Sequence, residues 1–215
     1  MAGKKAAEKA KDGRQHILDA AMDYCATYGL EPISVRAIAN HAQVNSAMLR
    51  YYFGSKDQLL EALISSVTET IGNHRLANLK QLMENHPDGV PLDMLVRAYA
   101  EPFLTKDHPL TRDVSVHYRL LGRLFGEPND AMSEFAIKRV FEPQHTFVQQ
   151  FSRSAPHVSP EIIAMRFGMM VGALTVVGAR ADMLHGLSSG DAPPMAEADY
   201  LDIFARDWAA MFAMP

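Results

Sequence analysis

The stretch VNSAMLRYYFGSK, at positions 44–56, carries the side chains that contact with nucleic acid requires. Small or polar residues come first and basic or aromatic residues follow: Asn45, Ser46, Ala47, Arg50, Tyr51 and Tyr52. A helix that begins with short side chains can enter the major groove, about 12 Å wide, where arginine bonds the edges of bases. Lys56 adds charge at the start of the next helix, where backbone N–H groups already favour an anion. The stretch therefore predicts a DNA recognition helix followed by a phosphate contact.

Local patterns predict the helices that must position this stretch. The first helix is expected from near Asp12 to Gly29, because its apolar residues recur at three- and four-residue spacing. These residues are Ile17, Leu18, Ala21, Met22 and Cys25. Ser34 is placed to cap a second, short helix that ends at Ala42, and Asn45 to cap a third over residues 46–52. Two short helices with a third packed beside them form the helix-turn-helix arrangement that binds DNA.

The third helix needs a buried side as well as a DNA-facing side. We expect Met48 and Leu49 to supply the buried side, while Arg50 and Tyr51 point outward. Tyr52 and Phe53 are expected to anchor the helix against its neighbours, with the Tyr52 hydroxyl able to reach a phosphate.

The remainder of the chain is also predicted to be helical. Ser55 and Gln58 form a capping-box pattern that opens a long helix. Several prolines stand where a proline in the first helical position would begin a new helix: Pro91, Pro109, Pro128 and Pro160. Because no segment alternates convincingly between apolar and polar residues, the predicted fold is all-α. We divide it into a loose basic tail (1–13), a helix-turn-helix domain (14–58) and a larger helical domain for ligand binding and dimerisation (59–215).

Composition and charge restrict the class of protein. Hydrophobic residues make up 48% of the 215, enough for a sizeable core. Residues 1–56 carry eight Lys/Arg against five Asp/Glu, whereas the whole chain has a net charge of −4, so only one end is suited to a polyanion. A single cysteine suits a reducing cytoplasm. The N-terminus lacks the apolar region of a secretory signal, and the apolar run 167–179 is too short to span a membrane, so we expect no membrane partner.

Residue patterns for catalysis or cofactor binding are absent from the sequence. The nine histidines show no ligand spacing typical of a metal site, so neither a metal nor another cofactor is expected. No nucleophile-elbow, dinucleotide-binding or phosphate-binding loop motif occurs, which argues against an enzyme. Cys25 lies on the apolar stripe of the first helix, where a core position is expected.

The run ILDAAMDYCATYGLEPISVRAIANHAQVNSAMLRYYFGSK, continuing into DQLLEALI, resembles the tetracycline-repressor (TetR) family of bacterial regulators. The resemblance implies a set of DNA-contacting residues: Ser34, Arg36, Asn45, Ser46, Ala47, Arg50, Tyr51, Tyr52 and Lys56. This chain departs from the family pattern at Arg50, where tyrosine is common, and at Gln43, where the turn usually has glycine. If Gln43 is left-handed, its backbone strain is on the order of 1 kcal/mol.

Two further runs, YRLLGRLFGEP and FEPQHTFVQQFSRSAPHVSPEIIAMRFGMMVGAL, weakly resemble the C-terminal half of the branch of that family that includes regulators of fatty-acid breakdown. Large apolar side chains in the C-terminal two thirds of the chain are candidates to line an elongated pocket, and His117 and Tyr118 could orient a ligand within it. The candidate lining residues are Phe103, His117, Tyr118, Leu121, Phe125, Phe147, Phe151 and Met170. The alternative is that these residues simply fill a core. A fatty acyl thioester (acyl-CoA) is the first ligand hypothesis, and a multidrug or aromatic ligand the second.

Small residues recur every four positions at Ala164, Gly168 and Gly172, which gives a flat strip that another helix could approach closely. The pattern suits packing within one subunit as well as between subunits. The family resemblance favours a homodimer, formed through residues 159–185 and 196–212.

Together these features predict a homodimeric repressor that binds double-stranded operator DNA and is released by a small apolar ligand. Two alternatives that do not bind DNA stay open: a helical interaction module and a helical enzyme.

Overall fold

The computed structural model describes residues 2–28, 33–105, 108–110, 114, 116–117, 138, 144–179 and 197–215. Within these residues the chain forms eight helices and no strand, which confirms the predicted all-α class. The helices are α1 (Ala2–Tyr28), α2 (Val35–His41), α3 (Ser46–Phe53), α4 (Lys56–Asn85), α5 (Leu92–Leu104), α6 (His145–Ser154), α7 (Pro160–Ala179) and α8 (Glu197–Ala213). No helix in the described ranges is both long enough and apolar enough to cross a lipid bilayer.

Two compact units make up the molecule. The first contains Met1–Thr68 and Ser115–Arg139, and the second contains Glu69–Val114 and Val140–Pro215. Helix α4 contributes residues to both units. The domain boundary that the sequence predicts between residues 58 and 59 lies within α4, ahead of this division, and stays a prediction.

The first unit is built on the apolar stripe of α1. All five residues predicted for that stripe are buried, and Ile17, Ala21 and Cys25 have no exposed surface. Helix α1 packs against α2, and α2 packs against α3. On α4, five apolar residues at three- and four-residue spacing are likewise buried: Leu59, Leu60, Leu63, Ile64 and Val67. Burying each such side chain stabilises the fold by about 1.5–3 kcal/mol.

The N-terminus differs from the sequence prediction. Helix α1 begins at Ala2 instead of near Asp12, so the segment predicted to be a loose basic tail is helical from its second residue. The reason is intrinsic propensity, because the segment AGKKAAEKAK is rich in alanine, lysine and glutamate, all strong helix formers. The apolar pattern used to place the helix start is absent from this part of α1.

The second unit is organised around α5. This helix packs against α6, α7 and α8, and its buried residues include Leu95, Val96 and Tyr99. The Tyr99 ring meets those of Phe147 and Phe167 edge-on, with centroids 5.1 and 4.9 Å away. Aromatic pairs in this arrangement add about 0.5–1.5 kcal/mol each beyond the area they bury.

One proline, Pro160, stands at the predicted first helical position, that of α7, and Pro91 stands one residue before the first residue of α5, as its N-cap. Pro109 lies in a turn, and Pro128 lies outside the described residues.

Candidate functional site

Side-chain caps fix the starts of α2 and α3. The Ser34 hydroxyl accepts a hydrogen bond from the Ala37 N–H at 3.1 Å, and the Asn45 side-chain oxygen accepts one from the Ala47 N–H at 2.8 Å. Both caps were predicted from the sequence and are confirmed. The cap uses one lone pair of this oxygen, so the second lone pair and the amide N–H groups of Asn45 are left for contact with another molecule.

The turn between α2 and α3 contains a left-handed residue. Gln43 has φ 56°, and it is the one non-glycine residue with positive φ in the described ranges. The turn is closed by backbone hydrogen bonds from the Gln43 N–H to Asn40 (3.2 Å) and from the Val44 N–H to Ala39 (2.9 Å). A left-handed non-glycine residue is strained by about 1–2 kcal/mol, so this turn is held against a backbone preference.

A reciprocal capping box opens α4, directly after the end of α3. The Ser55 N–H donates to Gln58 Oε1 and the Gln58 N–H donates to Ser55 Oγ, both at 3.1 Å, which confirms the predicted motif. Gly54 precedes it with φ 73°, a conformation suited to glycine. Lys56 follows as the first residue of α4, half-buried, where exposed N–H groups favour an anion.

Helix α3 presents a clear division between a buried and an exposed face. Leu49 and Phe53, four residues apart, are buried, while Arg50 and Tyr51 are exposed, Tyr51 by 80%. Met48 is 41% exposed, so the prediction that it faces the core is wrong. In an eight-residue helix, a pair of side chains four positions apart, here Leu49 and Phe53, is enough to form the buried face. Met48, one position before Leu49, points away from that face.

Contacts with α1 hold α3 in place. The Arg14 guanidinium lies over the Phe53 ring, 4.8 Å from its centroid. The Tyr52 ring lies against Gly13, where an added Cβ would come within 2.6 Å of the hydroxyl oxygen. Glycine within a helix destabilises it by about 0.5–1 kcal/mol, and here it provides the space that Tyr52 occupies. These contacts agree with the predicted anchoring role of Tyr52 and Phe53.

All nine residues predicted to contact DNA belong to the first unit and reach the surface. The exposed ones are Ser34, Arg36, Asn45, Ala47, Arg50 and Tyr51, and the half-buried ones are Ser46, Tyr52 and Lys56. The structure therefore gathers them on α2, α3 and the start of α4. Their contact with DNA stays a prediction.

Residues predicted to line a ligand pocket are largely internal where they are described. Phe103, Phe147, Phe151 and Met170 are buried in the second unit, and Phe151 stacks on Phe212 with centroids 4.1 Å apart. His117 is buried and falls in the segment assigned to the first unit. The remaining three, Tyr118, Leu121 and Phe125, lie outside the described residues.

A buried polar group in the second unit was missed from the sequence. The Arg75 guanidinium lies over the rings of Tyr99 (3.5 Å) and Phe103 (4.3 Å), and its Nε–H donates to the Tyr99 carbonyl at 2.9 Å. The Tyr99 hydroxyl donates to Gln144 at 2.6 Å. Burial raises the pKa of Tyr99, and the Arg75 charge and hydrogen bond oppose this. The hydroxyl is therefore neutral and acts as a donor.

A sequence signal for Arg75 does exist. It falls on the buried stripe of α4, four residues after Ile71 and four before Leu79. An arginine at such a position interrupts an otherwise apolar periodicity, which marks a charge that the core must accommodate.

Comparison with known proteins finds a matching family model for each of the two parts of the chain. A family model described as "Bacterial regulatory proteins, tetR family" matches residues 17–63, and one described as "Tetracyclin repressor-like, C-terminal domain" matches residues 97–211. The transcriptional repressor KstR of Rhodococcus jostii is 27% identical over 145 residues, which cover 60% of this chain and 68% of KstR. The regulator BetI 2 of Chromohalobacter salexigens is 32% identical over 74 residues, but this match covers only 36% of BetI 2 and 34% of this chain.

Solved structures share the fold at low sequence identity. The multidrug binding protein EbrR, crystallised with imidazole, superimposes with a TM-score of 0.63 at 18% identity, covering 94% of this chain and 96% of EbrR. A transcriptional regulator from Rhodococcus sp. RHA1 gives 0.63 at 20% identity, covering 93% and 95% of the two chains.

Proposed function

Because this chain belongs to the tetracycline-repressor family of bacterial regulators, we propose that it is a homodimeric repressor that leaves its operator when a small apolar ligand binds. The family consists of transcriptional regulators with an N-terminal DNA-binding unit, and the protein is one of them. The operator, the dimer, the ligand and a cytoplasmic location are the proposed elements.

One observation carries the DNA-binding proposal. Helix α3 is capped at its start by Asn45, followed after Gly54 by the capping box that opens α4, and anchored through Leu49 and Phe53. Its remaining face is exposed and carries Arg50 and Tyr51. A rigid helix with a short-residue start and an exposed arginine fits the major groove.

Gel-shift titration tests this proposal on the DNA upstream of the protein's own gene. We expect retardation of this fragment at concentrations at which a shuffled fragment of equal length is not retarded. Equal retardation of both fragments would show that the protein binds DNA without regard to sequence. That result would contradict the proposal of a sequence-specific repressor.

The exposed face of α7 supports a dimer. Ala164, Gly168 and Gly172 are all exposed, and a Cβ added at either glycine would meet no atom within 4 Å. Beside them Met165 and Met169 are 58% and 53% exposed. Exposed methionines next to a flat strip of small residues form an apolar face suited to a partner helix, here α7 of a second copy. The alternative that the strip packs within one subunit finds no support in these contacts.

The ligand is proposed to bind in the second unit. Support comes from its concentration of buried aromatic side chains, including Phe103, Phe147 and Phe151, and from EbrR, a multidrug binding protein of the same fold. A fatty acyl thioester remains the first hypothesis, with a multidrug or aromatic ligand as the second. A ligand can release DNA only if it binds the DNA-free state more tightly than the DNA-bound state.

Titration with acyl-CoA thioesters of graded chain length discriminates between these ligands. The acyl hypothesis predicts a rise in Tm and release of operator DNA that both peak at one range of chain length. If aromatic cations produce both effects and no thioester does, the acyl hypothesis is wrong and the multidrug hypothesis replaces it.

A further inference from the structure

Three metal-ligating side chains converge in the second unit, outside the regions considered above. His74 lies on α4, Glu101 on α5 and His108 in the segment after α5. One ligand atom from each lies within 4.8 Å of the other two, and no other such group of three occurs among the described residues. The two imidazole rings meet edge-on, with centroids 4.8 Å apart.

The separations within this cluster do not match hydrogen bonding. His74 Nε2 lies 3.5 Å and His108 Nε2 4.0 Å from the same oxygen, Glu101 Oε2. Charge-assisted N–H···O bonds are about 2.7–2.9 Å long. Two ligands bound tetrahedrally to one zinc ion at about 2.0–2.1 Å are themselves roughly 3.3 Å apart. A small inward movement of the side chains would therefore satisfy a metal.

We propose that His74, Glu101 and His108 form a binding site for a divalent transition-metal ion, with Zn²⁺ as the best-suited ion. Two imidazole nitrogens and one carboxylate oxygen suit zinc and its neighbours, whereas Mg²⁺ and Ca²⁺ require oxygen ligands throughout. The side chains of His74 and Glu101 are 32% and 37% exposed, so water can reach the fourth coordination position.

Metal binding must disturb existing hydrogen bonds at all three ligands. The Asn78 side-chain amide donates to His74 Nε2 at 3.1 Å and to Glu101 Oε2 at 3.5 Å, so a metal would displace it. The Leu110 N–H donates to His108 Nδ1 at 3.1 Å, which leaves the proton of the neutral ring on Nε2, facing Glu101. A metal bound at Nε2 moves that proton to Nδ1, where it opposes the Leu110 N–H. Residues 108–110 must therefore shift when a metal binds. Because this shift costs free energy, we expect micromolar rather than nanomolar dissociation constants.

Sequence spacing gave no indication of this site because its ligands come from separate elements. The fold brings together α4 and α5, and neither contains two metal-ligating residues at the spacing of a known motif. From the sequence we expected no metal site, and the proposed site contradicts that expectation.

The experiment uses the untagged, full-length chain, since an affinity tag would add histidines. Calorimetric titration with Zn²⁺ should give one equivalent per chain, and Co²⁺ should give the visible absorption of a four- or five-coordinate ion. His74→Ala, Glu101→Gln and His108→Ala should each weaken binding at least tenfold. His145→Ala, which removes an exposed histidine at the start of α6, should leave binding unchanged.

Thermal unfolding without metal shows which variants fold. Should His108→Ala not fold, Glu101→Gln still decides, because it removes the charge while keeping the shape of the side chain. The proposal is overturned if the wild-type chain binds no stoichiometric Zn²⁺ or Co²⁺. It is also overturned if Glu101→Gln binds both ions as tightly as the His145→Ala control does.

Discussion

At the scale of single residues, local hydrogen-bonding motifs were the most predictable features. The caps at Ser34 and Asn45 and the box formed by Ser55 and Gln58 could be located from the sequence, because each depends on residues at most three positions apart. Met48 could not be placed in the same way. Its exposure depends on how α3 is rotated against α1 and α2, which the residues next to it do not determine.

Arg50 is expected to bond a base edge, because it is exposed on α3. Arg50→Ala should weaken binding to the specific site by about 1–3 kcal/mol and relax preference at one position in each half-site. Arg36, exposed on α2, should behave similarly. Fluorescence anisotropy on specific and shuffled duplexes measures both effects. Equal losses on the two duplexes would show that Arg50 contacts phosphate alone.

Lys56 is expected to contact a phosphate from the start of α4. Lys56→Ala should reduce the slope of log K against log salt concentration by about one unit, because one fewer phosphate is neutralised. Lys80→Ala is the matched control, since Lys80 is exposed on the same helix but belongs to the second unit. An unchanged slope for Lys56→Ala would show that Lys56 does not contact a phosphate.

At the scale of elements, helix existence followed from the sequence more reliably than helix length. Apolar spacing located α1, and the Ser55–Gln58 box located the start of α4. The apolar spacing misplaced the start of α1, because helix propensity determines that start in a segment without such spacing. The packing of α5 against three other helices, and the placement of Arg75 over Tyr99, depend on contacts between residues distant in sequence. No local pattern reports such contacts.

The turn before α3 offers a test of stored backbone strain. Gln43→Gly should stabilise the protein by about 0.5–1 kcal/mol, because glycine adopts positive φ without strain. The same substitution at Gln149, exposed within α6, should destabilise it by about 0.5–1 kcal/mol. Midpoints of urea unfolding measure both. Destabilisation by Gln43→Gly would show that the turn is not strained.

At the scale of the whole molecule, residue patterns predicted two functional parts, whereas the predicted homodimer depended on the family resemblance. The helical class and the family could be recognised because they rest on helix-forming patterns and on one motif-rich stretch. The residue pattern alone left the partner surface open, since small residues such as Gly168 and Gly172 serve internal and external packing equally well. Only the family resemblance favoured a dimer through residues 159–185 and 196–212. The fold shows both glycines exposed.

A charge placed on the exposed strip of α7 should break the proposed dimer. Gly168→Glu should convert a dimer into a monomer of 23.8 kDa at micromolar concentration, because an unpaired carboxylate would be buried between the subunits. Gln149→Glu introduces the same charge on the exposed side of α6 and should leave the dimer intact. Light scattering reports the mass. A monomeric wild-type chain would rule out the dimer. A dimeric Gly168→Glu variant would show that the dimer interface lies elsewhere than on this strip of α7.

The central claim is that two copies of α3 read a specific operator. Repeated selection of duplexes from a random pool by the untagged protein tests it most directly. We predict enrichment of one inverted repeat whose half-sites are centred one helical turn apart, about 10–10.5 base pairs or a multiple of it. Arg50→Ala should change or erase the enriched sequence while the protein remains folded. A pool that stays random after repeated rounds with the wild-type protein would contradict the claim.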